Sequence, residues 1–277
     1  MSFDVTNLTP RIGAQIHTDL ATMLSGSHAM QIRELLDQRG VLVFRDIHID
    51  DEQQIEFTRT LGTLGDGIYK VTFDEGANGP IPTDYNYGNF SWHIDRTDID
   101  IPPLSSILSP RKLTETGGET EFASTYAAYA DLSDEDKARL DTLRVVHEVG
   151  ASFRHTVPNP TAEQKARWDS RDPKEHPLIW HHRSGRKSLV TSTSAVRVVG
   201  MDKAESDALL DRLMAWASRP EYVYVHDWRM GDLVMWDNTG TMHRVRSYDM
   251  TAGRRLHRTT LLGEEPVDPV KAELVSA

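Results

Sequence analysis

The sequence contains no cysteine. That excludes disulfides, thiolate metal sites and thiol nucleophiles together, and it agrees with a cytoplasmic setting. No apolar run approaches the ~18–20 residues that a membrane-spanning helix needs. The opening stretch MSFDVTNLTPRIG lacks the basic start and apolar core of a signal peptide. Positive charge is in deficit: 31 Lys and Arg against 42 Asp and Glu leave a net charge of −11. A broad basic surface is therefore not available, which argues against nucleic acid or an anionic membrane as partner. A small anion remains possible wherever Arg or Lys cluster locally. Internal repeats and breaks in composition are also absent, so the 277 residues read as one domain.

What is present is a succession of helices followed by many short strands. Ile32, Leu35 and Leu36 recur at helical spacing up to Gly40, and GVLVFRDI (40–47) reads as a buried strand. Asp51 to Leu61 predicts a helix closed by Gly62. Residues 62–89 are rich in Gly, Pro, Asp, Asn and Tyr and read as a long irregular region of the kind that carries function. Residues 89–95, NFSWHID, read as a strand, and ETEFAS after the pair Gly117-Gly118 as another. Ser133 with Asp136 predicts a helix start, the helix running to about Leu143. The charged, proline-containing segment 152–180 is expected to be an irregular, lid-like insert. A last helix begins near Asp202 with Leu209, Leu210, Leu213 and Met214 on one face, and the runs SLVTS, YVYVHDW, DLVMWDN and HRTTLLG read as strands. This pattern predicts a mainly β fold with flanking helices, a sandwich or jelly roll.

On a strand, His93 and Asp95 project to the same face. An imidazole and a carboxylate side by side on a stiff element are how a metal site begins; the plain alternative is a surface His beside a turn Asp. Among twelve histidines, His243 stands out because it follows a strand-and-turn, DLVMWDNTGTM, and precedes a basic run. Two His and one carboxylate would form the facial set of non-haem Fe(II) oxygenases, which leaves positions open for a cosubstrate and O2. A 2-oxo acid on such an iron would need a guanidinium for its far carboxylate. Arg254 and Arg258, four residues apart, are candidates, although GRRLHR also reads as a solvated basic edge. The rival class is a jelly-roll metal- or sugar-binding module in which the same three residues hold structural zinc, but a structural zinc site completes four protein ligands and no fourth is evident.

Taken together, NxxxHxD (from Asn89), GGET (to Thr120), WDNxxxxHR (from Trp236), RxxxR (Arg254 to Arg258) and the closing LLG resemble the taurine/2,4-dichlorophenoxyacetate dioxygenase family of Fe(II)/2-oxoglutarate enzymes, from about Leu8 to Gly263. The resemblance implies a double-stranded β-helix, or jelly roll, and a homo-oligomer, dimer or tetramer. It implies an oxidoreductase that uses Fe(II), 2-oxoglutarate and O2 to hydroxylate a small organic substrate, with release of succinate and CO2. Where the hydroxylated carbon bears O, S or N, cleavage of that bond follows. His93, Asp95 and His243 match the iron ligands, Thr120 the hydroxyl donor to the 2-oxoglutarate C5 carboxylate, and Arg254 its arginine partner. Arg258 matches a second arginine near the cosubstrate that often meets an anionic substrate, and Asn89 an asparagine on the substrate side. The departures concern the substrate: Tyr69 and Lys70 stand where taurine-specific members place His and Tyr. Asp84 lies in the same loop, and SLVTSTSAVRV carries Thr and Ser where aryloxypropionate-cleaving relatives would carry a guanidinium. These features lead to an expected small substrate, carboxylate- or sulfonate-bearing, contacted by Tyr69, Asn89 and Arg258. His181-His182 and Trp236 are expected to be packing residues, Asp237 and Asn238 turn residues, and His147, Arg154 and His155 surface residues.

Overall fold

A computed structural model describes residues 4–269. Fifteen strands run through them: β1 (Asp4–Asn7), β2 (Ala14–His17), β3 (Val41–Phe44), β4 (Tyr69–Val71), β5 (Ser105–Lys112), β6 (Thr120–Ser124), β7 (Arg144–His147), β8 (Lys174–Pro177), β9 (Ile179–His181), β10 (Lys187–Leu189), β11 (Ala195–Val198), β12 (Val223–His226), β13 (Leu233–Asp237), β14 (Thr241–Val245) and β15 (Arg255–Leu261). A seven-stranded sheet, in the order β1-β2-β3-β13-β5-β15-β4, faces a three-stranded sheet, β12-β6-β14; β11-β7-β8 and β10-β9 form two smaller sheets. This is the jelly roll expected from the strand pattern.

Period-two alternation explains why the central strands are apolar on both faces. Val41, Val43, Leu108, Val234 and Trp236 point inward, where they meet Phe122 and Tyr224 of the smaller sheet. Leu42, Phe44, Ile107, Leu233 and Met235 point outward, under Ile32, Leu36, Phe57 and Leu61 of two helices. Those helices, Ala29–Arg39 and Asp51–Leu61, end where the sequence says they should. Asp50 and Gln53 form a reciprocal capping box at the second. Gly40 closes the first at φ +69, and a Cβ there would also press on Thr241 Oγ1 at 3.0 Å. A third cluster joins Ala123 and Met242 on the outside of the smaller sheet to Leu209 and Leu213 of the helix Lys203–Ala217.

Three expectations are corrected. The NFSWHID run is not a strand: only His93 makes a bridge, to His243, and a turn begins at once. The region 152–180 is not irregular; it contributes to the helices Val149–Thr156 and Ala162–Trp168 and to β8 and β9. The Ser133-capped helix stops at Leu140. Among the described residues, no helix is long and apolar enough to cross a membrane.

Candidate active site

His93 and His243 are brought together by backbone pairing. His93 N donates to His243 O at 3.0 Å, and His243 N donates to His93 O at 2.8 Å. In such a closed pair the side chains stand on one face, and the two rings lie 4.1 Å apart. Asp95 joins them from the turn that follows, next to Arg96 at φ 60. Its Oδ1 lies 3.8 Å from His93 Nε2 and 3.9 Å from His243 Nε2. All three donor atoms fall within 4.8 Å of one another, and the set has no other His, Asp or Glu among the described residues.

These residues fit a divalent metal on two counts. Donors sharing an ion with bonds of ~2.1 Å must lie within ~4.2 Å of each other, and both carboxylate–imidazole separations satisfy that. The protonation is also suitable, since ligands must be neutral imidazole and ionised carboxylate. Burial lowers the pKa of His93 and, further, that of His243. Burial alone would raise Asp95, but Arg258, the two imidazoles and a hydrogen bond from Ser106 hold it well below the usual carboxylate range. Three ligands leave coordination positions open, which does not suit a structural zinc site.

The three candidate ligands are themselves held. His93 Nδ1 donates to the carbonyl of Ser91 at 2.8 Å, so Nε2 keeps its lone pair for the centre. Ser106 Oγ donates to Asp95 Oδ2 at 2.7 Å and accepts from Asn238 Nδ2 at 3.1 Å; Asn238 Oδ1 accepts from Trp236 Nε1 at 2.7 Å. The Trp236 ring also packs against His243 at 4.7 Å. Asn238 is therefore more than a turn residue, whereas Asp237 is one, accepting from Thr239 N at 2.8 Å. Ser106 was not anticipated. Its signal was a pair of serines, Ser105-Ser106, inside a strand with no exposed position near them.

A narrow cleft beside the triad is lined by Thr120, Tyr248, Arg254 and Arg258. Arg254 is 4 % exposed, yet among the described residues no carboxylate lies within 4.0 Å of it. One Nη donates to Gly118 O at 2.8 Å, the guanidinium lies over the Tyr248 ring at 4.8 Å, and Nε has no partner. Gly118 is required here: its φ is +83, and a Cβ would come within 2.8 Å of Arg254 Nε. Burial lowers the Arg254 pKa. Tyr248 and the more distant Glu119 offset that burial only in part, and a buried cation without a close counter-charge is costly.

A larger cavity of about 540 Å3 opens on the other side of His93 and Asp95. Asn89 and Arg258 line both spaces. Arg258 is not an unpaired cation: Nη1 reaches Asp95 Oδ1 at 3.5 Å, and the group lies over the Tyr69 ring at 5.1 Å. Tyr69 lines the cavity and an adjoining opening that shares Asp95 and Arg258 with it, whereas Lys70 lines that opening and not the cavity. Sequence reasoning missed the walls supplied by Tyr85, Phe153 and Arg171. It also misplaced His147, which is buried with Nδ1 2.8 Å from Ser194 Oγ. Asp84 does not face the cavity but pairs with Arg167. His182 is internal, 2.7 Å from Glu265 and 2.8 Å from Ser188.

Comparisons with known proteins agree with this geometry. Residues 4–260 match the family described as taurine catabolism dioxygenase TauD, TfdA family. The chain is 34 % identical to an alpha-ketoglutarate-dependent 2,4-dichlorophenoxyacetate dioxygenase of Burkholderia sp. (strain RASC), covering 95 % of each chain. It is 32 % identical to an alkylsulfatase of Acinetobacter baylyi, covering 93 % of this chain and 84 % of that one. Among solved structures it is similar to AAD-2 in complex with Mn(II) and N-oxalylglycine, with a TM-score of 0.86, 36 % identity, and coverage of 97 % of this chain and 99 % of that one.

Proposed function

The chain belongs to the TauD/TfdA family of 2-oxoglutarate-dependent dioxygenases, and from that premise we propose that His93, Asp95 and His243 hold its iron and that Thr120 and Arg254 hold the C5 carboxylate of 2-oxoglutarate. The enzyme uses Fe(II), 2-oxoglutarate and O2 and oxidises a small organic substrate, releasing succinate and CO2. Iron, when bound, couples decarboxylation of the 2-oxo acid to oxidation of a substrate C–H bond. The remaining work belongs to the chain. Arg254 supplies the charge that a buried carboxylate needs, and Thr120 supplies a neutral donor beside it. Ser106 and Arg258 keep Asp95 ionised and oriented, while His93 is fixed in its Nδ1–H tautomer by Ser91. Phe153, Tyr85 and Ile94 give the larger cavity an apolar wall that excludes water.

For the substrate we infer a small or medium organic molecule with one carboxylate, sulfonate or sulfate group. Arg258 and Arg171 line a cavity of mixed polar and apolar walls. Each already faces one carboxylate, Asp95 at 3.5 Å and Asp98 at 2.9 Å, and each keeps further N–H donors for a substrate anion, while Asn89 and Tyr69 offer hydrogen bonds to the substrate body. Relatives are named for 2,4-dichlorophenoxyacetate and for alkyl sulfate. An oxygen-bearing carbon, once hydroxylated, would collapse to a carbonyl with loss of the alcohol or sulfate. We also read 1–277 as one domain in which 152–180 helps to cover the cavity, and the protein as a cytoplasmic homo-oligomer, a dimer or tetramer.

One observation carries the reading: a buried arginine without a carboxylate partner shares a cleft with two histidines of a metal-ready triad. Succinate release from 2-oxoglutarate should require Fe(II) and should vanish in His93→Ala and Asp95→Ala proteins that remain folded. Near-wild-type succinate release by either variant at saturating Fe(II) would refute the assignment.

A further inference from the structure

Thr120 Oγ1 accepts a hydrogen bond from Trp228 Nε1 at 2.9 Å, and among the described residues it makes no other. An indole N–H can only donate. It therefore occupies one lone-pair direction of the hydroxyl and leaves the O–H proton to point elsewhere. Thr120 lines the cleft that also holds Arg254, His93 and His243. We propose that Trp228 is a positioning residue for 2-oxoglutarate: by donating to Thr120, it turns that hydroxyl into a donor aimed at the C5 carboxylate. This rests on the cosubstrate reading given above.

The indole is in turn given little freedom. Trp228 is buried and follows β12, whose His226 pairs with Thr120 in register. The His226 ring meets the Trp228 ring edge-on at 4.5 Å. His226 is locked between the Tyr224 hydroxyl at 3.0 Å and Asp232 Oδ2 at 3.1 Å, and Asp232 is paired with Arg45 at 2.5 Å. A hydroxyl next to an anion could otherwise spend part of its time with a lone pair turned toward the charge. Fixing it as a donor removes that orientation and favours a 2-oxo acid with a distal carboxylate of the right length.

The test is a double-mutant cycle on Mn(II)-loaded protein, with 2-oxoglutarate and N-oxalylglycine affinities measured by calorimetry so that no turnover is needed. Trp228→Phe keeps the ring bulk and removes the donor; Thr120→Val keeps the volume and removes the hydroxyl. Thr120→Val should weaken 2-oxoglutarate binding by roughly ten- to hundredfold, the loss expected for one hydrogen bond to a charged group, and Trp228→Phe by roughly five- to tenfold, because the hydroxyl remains but is no longer oriented. In the Thr120→Val background, Trp228→Phe should add less than about twofold, because its effect runs through the hydroxyl. A folded Trp228→Phe protein with unchanged affinity overturns the proposal, as does a double variant whose loss is the product of the two single losses. If Trp228→Phe does not fold, the indole N–H resonances of Zn(II)-loaded wild-type and Thr120→Val proteins decide. The resonance displaced by Thr120→Val must also move when N-oxalylglycine is added, and a resonance that ignores the ligand overturns the proposal. Wild-type protein that binds neither ligand overturns the cosubstrate reading and this proposal with it; wild-type binding with failure of the cycle overturns this proposal alone.

Discussion

At the scale of single residues, the three candidate ligands stand out in the sequence and the groups that hold them do not. His93 and Asp95 are conspicuous because few residue types bind metal. Ser106 is conspicuous only once β5 pairs with β13 and places it opposite Trp236, beside Asn238. That register is a tertiary fact. Ser106→Ala removes the donor to Asp95 Oδ2 and also leaves the buried Asn238 amide without its acceptor. Removing a group that orients a metal ligand typically costs 10–100-fold in affinity. Titration of the variant with Mn(II) should show a loss in about that range, and unchanged metal affinity would mean that the hydrogen bond is incidental. Arg254→Ala makes the complementary prediction at the other end of the cleft. Leaving a bound carboxylate without its partner costs on the order of 2–5 kcal/mol, so the 2-oxoglutarate requirement should rise by at least ~30-fold while metal binding stays intact. An unchanged 2-oxoglutarate titration would remove Arg254 from the site.

At the scale of elements, the sequence was most legible where periodicity and caps agreed, as in the helix Asp51–Leu61 with its Asp50 and Gln53 box. It misled at His93 to Asp95, where alternation suggested a strand but the chain turns after a single bridge. The fault lies with the shortness of the run, because two same-face residues fit a turn as well as a strand. In the segment 152–180, charge and proline hid two helices. The second carries a capping box, Thr161 with Gln164, which was visible in the sequence as TAEQ. That helix is tied to the wall of the cavity: Arg167 pairs with the buried Asp84 of the turn preceding His93, and Trp168 packs on Phe153 of the first helix, which meets Tyr85 edge-on. Asp84 already has one carboxylate oxygen without a partner. Arg167→Ala would strand the charge, at roughly 3 kcal/mol, and the strain should be released by local opening. Hydrogen exchange should accelerate across 83–90 and 149–168 while β5 and β13 stay protected. Uniform acceleration through the central strands, or none anywhere, would show that the pair does not fasten this wall.

At the scale of the whole molecule, the net charge of −11 conceals buried histidines, His147, His176 and His226, whose burial favours the neutral form, and this sets how stability responds to acid. His147 is the clearest case. Burial, reinforced by the nearby His176 ring, pushes it down to about 3. It faces Ser194 Oγ at 2.8 Å and His176 at 5.7 Å, and its Nε2 has no partner. The unfolded chain binds a proton at this position below about pH 6.5, whereas the folded chain does not until about pH 3. The stabilisation is therefore complete above pH 6.5 and is lost progressively as the pH falls toward 3, at up to about 1.4 kcal/mol per pH unit. The carboxylates paired with arginine act in a lower window. Glu121, which burial alone would raise, is lowered by Arg244 and Arg246. Its contribution is present above its unfolded pKa and disappears only as the pH falls below about 4. Between pH 6.5 and pH 4.5 the histidines dominate, so urea unfolding of the metal-free protein should show stability falling with acid in that interval. A His147→Gln variant, though less stable at pH 7, should lose stability with a slope shallower by about 1.4 kcal/mol per pH unit. Parallel slopes for the two proteins would mean that His147 takes up its proton in the folded state near its ordinary pKa.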